Sequence, residues 1–255
     1  MDRDTAAMPT APPGAGSDGL LLRVGAVAAV GGAVASLIAT AAEPDSSGDP
    51  THAVRLVASS SIWTVDRLLD LIGALLIVAG LTVCRGTFAR NTGYEWARVG
   101  QPFLVLMGAL GAGAVISGAT MKDMADAWTE ALPQAQQSYL AAFDASSNAT
   151  DDLYFGAFLA LGMYSSLLAA AILRGGPYSR RLGWTAAVSA ALVTSGDLLM
   201  VVVDAAFVAV LVGYLLFLLV AIMIGTAMWR GASHSPRRVE VPSSSSTLST
   251  SMSGR

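Results

Sequence analysis

The sequence predicts an all-α membrane protein, with six transmembrane helices in an antiparallel bundle and both termini cytoplasmic. Three observations carry this expectation. Apolar residues make up 54% of the 255-residue chain and charged residues only 13%, about half the charged share of soluble domains. The apolar residues gather in runs of about 20, the length an α-helix needs to cross a bilayer core of roughly 30 Å. Basic residues are abundant in every second connection between runs and scarce in the others, as the positive-inside rule requires.

The longest apolar stretch, Ala186 to Trp229, has Asp197 and Asp204 as its only charges. It holds two crossings with Asp204 at the turn, which places the last two spans at about 182–203 and 205–229. The earlier runs place spans at about 19–42, 66–84, 99–120 and 153–173. The first could be read as a secretory signal, because Ala39-Thr40-Ala41 resembles a small-residue cleavage site. Its apolar stretch exceeds the usual length and the preceding tail is not basic, so a retained span is expected.

The polar segments complete the plan. Residues 1–18 are rich in Ala, Pro, Gly and Asp, and residues 231–255 in Ser and Thr. Neither can bury enough apolar surface to offset ordering entropy, so both predict disordered tails around a membrane domain of 19–230. His52 to Trp63 reads as a short interfacial helix. Residues 121–150 form an extracytoplasmic, partly helical loop. In it Met124, Ala127, Trp128, Ala131 and Leu132 recur at helical spacing, Pro133 interrupts, and Tyr139, Leu140 and Phe143 resume. Two short amphipathic pieces are expected there, lying on the membrane surface or capping the bundle. With this topology the inner segments carry twelve of the fifteen basic residues, and the outer ones only Arg55, Arg67 and Lys122.

Candidate chemistry centres on the charges inside the spans. Asp197 lies about two turns, or roughly 10 Å, below the Asp204 turn, where a carboxylate is costly unless it is paired or protonated. The second span brings Arg67 and Asp70 to a comparable depth, so Arg67, Asp70 and Asp197 form a candidate intramembrane charge cluster. Three readings stay open. Asp197 is a titrating group for a proton or cation, or it pairs with Arg67 and fixes helix register, or a helix tilt carries it to the outer surface.

The glycines of the third span, among them Gly108, Gly111 and Gly113, lack the preceding strand and the Lys-Ser/Thr ending of a phosphate loop. Close helix packing is expected instead, with Gly108, Gly113 and Ser117 at the interface and the small residues Ala109, Gly113 and Ser117 at spacing four. The fifth span repeats the spacing with Ala187, Ala191 and Ser195. Tyr164 and Tyr214 are mid-span phenols, each expected to reach an acceptor on another helix.

Several classes are excluded. Cys84 is the sole cysteine, so intrachain disulfides and thiolate metal clusters are ruled out. His52 and His234 lie outside the spans, so paired histidines cannot hold a haem in the bundle. No metal or other cofactor is expected, and no Gly-x-Ser-x-Gly, His-Glu-x-x-His or Walker pattern points to an enzyme. A net charge of −3 and the lack of a basic, aromatic-interleaved cluster argue against nucleic acid. The lipid bilayer is the one partner that composition names. The expectation is an integral membrane protein acting as a structural or interaction component. A small proton- or cation-coupled transporter using the Asp/Arg cluster is the alternative, and a membrane-embedded enzyme comes third.

Two stretches carry a resemblance. Ile62-Trp63-Thr64-Val65-Asp66-Arg67-Leu68-Leu69-Asp70-Leu71-Ile72-Gly73 enters the second span, and Tyr178-Ser179-Arg180-Arg181-Leu182-Gly183-Trp184 enters the fifth. Both resemble an uncharacterised six-helix integral membrane protein family of actinobacteria. That pattern often has histidine at the position of Asp66 and proline at that of Ser179, so a site built on that histidine does not carry over. The resemblance implies the six-helix architecture and no particular activity. The Arg-rich composition, with Lys122 as the sole lysine, fits a GC-rich bacterial genome.

The topology is checked by cysteine labelling in a Cys84→Ser background. An impermeant maleimide should reach cysteines placed at Ser47 and Ser147 in intact cells, and should reach Thr92 and Ser179 only after the membrane is opened. Labelling at position 92 in intact cells would overturn six spans with cytoplasmic ends.

Overall fold

The computed structural model describes residues 15–42, 49–89 and 91–233, and every regular element among them is helical. The two predicted tails lie outside the described residues, apart from the few at 15–18 and 231–233 that extend the first and last helices. The helices are α1 (Ala15–Ala42), α2 (Pro50–Ser59), α3 (Trp63–Cys84), α4 (Tyr94–Glu130), α5 (Pro133–Leu173), α6 (Arg180–Met200) and α7 (Phe207–Ser233). All but α2 are long and apolar enough to cross a membrane. The chain is thus an all-α, multi-pass membrane fold.

Local chemistry sets the helix ends. The Asp49 carboxylate accepts the Thr51 N–H at 3.3 Å and Pro50 opens α2, a combination that satisfies one orphan donor and removes another. Ser179 Oγ accepts the Leu182 N–H at the start of α6. At the end of α5 the chain reverses at Gly175, with φ of 117°. The Gly175 and Gly176 N–H groups both turn back to the Ile172 carbonyl, a left-handed helix stop that glycine adopts without strain.

The spanning helices form a closed ring in chain order. α1 packs on α3, α3 on α4, α4 on α5, α5 on α6, α6 on α7, and α7 returns to α1, with a smaller α3–α7 contact across the ring. Arg23 near the start of α1 lies over Trp229 near the end of α7, 5.7 Å from the ring centroid. The start of α1 and the end of α7 therefore lie at the same end of the bundle, the terminal end.

The opposite end carries a folded cap, one of the two arrangements expected of 121–150, but its helical pieces are not separate elements. The stretch 121–150 is not a loop with two separate surface pieces. α4 and α5 run straight through it, leaving only a turn at Ala131 and Leu132. The break falls at Pro133 as expected: it opens the first turn of α5, where its missing N–H is no loss. At 37 and 41 residues, α4 and α5 are about 55 and 60 Å long, well beyond a bilayer core of roughly 30 Å. The apolar face of their projecting halves meets α2. Val54 and Val57 of α2 are fully buried with Ala53, Trp63, Met121, Ala125 and Phe143 in a second core. Lys122 Nζ donates to the Ala58 carbonyl at the end of α2 (3.1 Å) and to Asp126 (2.5 Å). Arg55 lies over Trp128 at 5.8 Å.

The small-residue contacts follow the expectation only in part. Gly108 is pressed against Val78, where an added Cβ would stand 2.7 Å from Val78 Cγ2. At Gly113 a Cβ would make ordinary contact with Leu153 at 3.5 Å. Ala109 is exposed, and so are Ala191 and Ser195 of the other predicted stripe. The buried faces lie beside these stripes, along Leu104, Gly108, Val115 and Gly118 in α4 and along Leu182, Ser189, Val193 and Gly196 in α6. Ser117 works through its hydroxyl, exchanging hydrogen bonds with Ser146 at 3.2–3.3 Å.

Backbones of neighbouring spans approach closely between α1 and α3. A Cβ on Gly80 would collide with the backbone of Ala29, and one on Gly32 would lie 2.7 Å from the Gly73 carbonyl oxygen. Helices in lipid gain no hydrophobic drive from association, so close van der Waals contact between small residues is their main attraction. Gly80→Ala should therefore destabilise the protein by about 1–3 kcal/mol through overpacking. Gly111→Ala, where no atom lies within 4 Å of the added Cβ, should stabilise by about 0.5–1 kcal/mol through helix propensity. Melting in detergent checks both.

Candidate functional site

At the level where bundle becomes cap, α3 buries a polar cluster. Asp66 and Arg67 are buried at 6% and 4% exposure. Asp66, Arg67 and Asp70 lie on consecutive turns of one helix, so their spacing keeps them close. The Arg67 guanidinium lies over the Trp63 ring, 4.4 Å from its centroid, a placement that offsets part of the loss of water around the cation. Trp63 is itself held by its indole N–H, which donates to the Gly118 carbonyl at 2.9 Å. The aliphatic stem of Arg67 passes the Cα of Gly118, where even an added Cβ would make only ordinary contact.

Tyr154 of α5 completes the arrangement. Arg67 Nη1 donates to the Tyr154 hydroxyl at 3.4 Å, and that hydroxyl donates to Asp70 Oδ2 at 3.2 Å. One phenol thus bridges a guanidinium and a carboxylate and ties α3 to α5. The Tyr154 ring stacks on Phe158 at 6.1 Å, and Phe158 meets Tyr214 of α7 edge-on at 5.8 Å. Tyr214 lies beside Asp70 and its hydroxyl faces Ser36 of α1. Ser36 is fully buried and has room because its neighbour on α3 is Gly73, where a Cβ would stand 2.5 Å from Ser36 Oγ. Hydrogen bonds thus join α3, α4 and α5 in one polar network, and the Tyr214 ring of α7 and the buried Ser36 of α1 adjoin it.

Of the predicted cluster, the structure joins Arg67 and Asp70, through Tyr154, and leaves Asp197 apart. Asp197 is 1% exposed, so helix tilt does not carry it to the surface. Among the described residues it takes no hydrogen bond at Oδ2, and no ion pair with Arg67 is formed. It sits on the buried side of α6 beside Gly196 and Val193, which meet Val210 and Gly213 of α7. Its depth along α6 could be counted from the sequence; the neighbours of its buried face could not.

A second polar node lies at the terminal end. Cys84 Sγ and Thr87 Oγ1 stand 3.3 and 3.0 Å from the Tyr178 hydroxyl, and Tyr178 packs on Phe88 at 5.5 Å. Beside it a cavity of about 10 Å3 is lined by Leu81, Cys84, Gly100, Gln101 and Tyr164. Tyr164 was expected to reach an acceptor on another helix; its ring instead meets Phe217 edge-on at 6.4 Å. Arg174 lies over Trp96 at 4.5 Å, and Arg85 both stacks on Tyr94 and donates to its hydroxyl at 3.1 Å.

Sequence reasoning missed Tyr154 and Trp63 as members of the polar network. Tyr154 had a usable signal: with Phe158 and Leu161 it recurs at helical spacing, one face of α5. Among the described residues no group of three His, Cys, Asp or Glu is placed to hold a metal ion. The arrangement is a hydrogen-bond relay and a helix lock.

The fold and its polar network define a class: an α-helical, multi-pass integral membrane protein with a folded helical cap outside the membrane. No protein-family model matches the chain, and no curated protein and no solved structure is similar to it.

Thermodynamic coupling tests the network. Arg67→Ala should cost about 3–5 kcal/mol, because a buried partner loses its counter-group, and Tyr154→Phe about 1–3 kcal/mol. The Arg67/Tyr154 double-mutant cycle should give a coupling of at least about 0.5 kcal/mol, while the Arg67/Asp197 cycle should be additive to within that value.

Proposed function

We propose that the chain is a structural or interaction component of a bacterial cell membrane, not an enzyme, and that it displays its cap on the outer face while both ends remain in the cytoplasm. The observation that carries this reading is the cap itself. α2 and the projecting halves of α4 and α5 share their own apolar core, and Trp63 and Arg67 anchor that core to the bundle through α4 and α5. A helical hairpin held stiffly about 20 Å or more beyond the bilayer suits presentation to another molecule, because a preorganised surface loses little entropy on binding. The basic residues supply the orientation: they cluster at the terminal end and are sparse in the cap. The six-helix architecture of the actinobacterial family it resembles agrees with this reading.

A second reading rests on one observation, the buried carboxylate of Asp197 with its unpartnered Oδ2. Intramembrane carboxylates mark proton and cation pathways in many transporters. Under this reading Asp197 is the coupling group and the Arg67–Tyr154–Asp70 relay lies at the outer mouth.

Site-specific photo-crosslinkers on the exposed face of the cap, at Gln137 and Ala145, test the first reading in intact cells. A discrete crosslinked species, lost when Phe143→Asp disrupts the cap core and retained in Asp197→Asn, is the expected result. A pH-driven flux in proteoliposomes of the purified chain that Asp197→Asn abolishes would favour transport instead.

A further inference from the structure

A groove of about 410 Å3 opens on the lipid-facing side of the bundle, between α1, α3 and α7 at the terminal end. Its walls and floor are Val24, Val27, Ala28, Gly31 and Leu76, and its mouth is formed by Arg23 and Trp229. Two features make it more than a gap between helices. The first is its floor: no atom lies within 4 Å of where a Cβ on Gly31 would stand, so the space there is open. The second is the sign and place of its charge. Arg23 lies over Trp229, and among the described residues it forms no ion pair. A guanidinium stacked on an indole keeps its in-plane N–H donors uncovered, and tryptophan favours the headgroup level of a bilayer.

The dimensions match one molecule. From Arg23 to Gly31 the groove descends about 12 Å along α1, and one leaflet of the hydrocarbon core is about 15 Å deep. An acyl chain entering beside Arg23 thus runs along apolar wall almost to the midplane, while its headgroup stays level with the guanidinium. We propose that this groove binds an anionic phospholipid of the leaflet at the terminal end, with its phosphate on Arg23 and one acyl chain along Val24, Val27, Ala28 and Gly31. The Arg23–Trp229 stack also closes the ring between α1 and α7, so lipid bound there bridges the first and last spans.

Native mass spectrometry of the purified full-length chain tests this, with palmitoyl-oleoyl phosphatidylglycerol or phosphatidylcholine supplied in the micelle. The wild type should retain phosphatidylglycerol over phosphatidylcholine. Arg23→Gln should lower retained phosphatidylglycerol about fivefold, the share a single basic residue contributes at a membrane surface, and should bring it to the phosphatidylcholine level. Gly31→Leu should lower both lipids by filling the groove, and its open surroundings let the fold tolerate the change. Gly111→Leu, equally open but outside the groove, should leave retention unchanged. Equal retention of the two lipids by the wild type overturns the proposal. So does wild-type retention of phosphatidylglycerol in either Arg23→Gln or Gly31→Leu.

Discussion

A guanidinium buried among apolar helices has to find its charge compensation within reach of its own side chain, and Arg67 imposes that requirement on α3, α4 and α5. Its plane needs an aromatic face, which Trp63 supplies one turn earlier on α3. Its donors need an acceptor, and Tyr154 supplies one from α5 while passing a hydrogen bond on to Asp70. Trp63 is in turn held by a carbonyl of α4, and that carbonyl belongs to Gly118, against which the Arg67 stem packs. Losing any of these groups would leave a buried charge or donor without its partner, which costs more than the interaction itself contributes. The junction between bundle and cap is therefore its most tightly specified part.

Below that junction the constraint changes. Lipid tails are as apolar as the helix surfaces, so burial in the bilayer gives no net reason for helices to associate. The ring closes where backbones approach each other at Gly32, Gly73 and Gly80 between α1 and α3, and at Gly196 and Gly213 between α6 and α7. Above the junction water returns, and the familiar hydrophobic drive with it. There the second core of Val54, Val57, Met121, Ala125 and Phe143 holds the cap in the manner of a small soluble helical domain. One pair of helices, α4 and α5, obeys both rules along its length.

The legible parts of the sequence were those governed by composition along one helix. Length and apolarity placed six spans, four of them close to the observed helix bounds while α4 and α5 run well past theirs, and the α3 charges at spacings of one and three residues were bound to lie near one another. Arg67 and Asp70 fall in that class. Asp197 does not: its depth could be counted from the Asp204 turn, but its azimuth around the ring depends on which helices flank α6. The stripes Ala109–Gly113–Ser117 and Ala187–Ala191–Ser195 held only in part for the same reason, since Ala109, Ala191 and Ser195 are exposed and spacing four identifies a face without saying what that face meets. Pro133 marked a true break, but not that the helices on either side of it continue into the spans. Proline ends a helix and also begins one, and local sequence reads the same in both cases.

The sequence by itself thus determined that this chain crosses a membrane six times, because hydropathy and helix rise are properties of each segment alone. Only the tertiary structure decided that α4 and α5 continue beyond the bilayer to build a cap with α2. It alone showed that Tyr154 bridges Arg67 and Asp70, and that Asp197 stands apart from both. Each of these depends on the rotation of one helix against another, and in a ring packed through glycines that rotation is set by close contacts between segments distant in the chain.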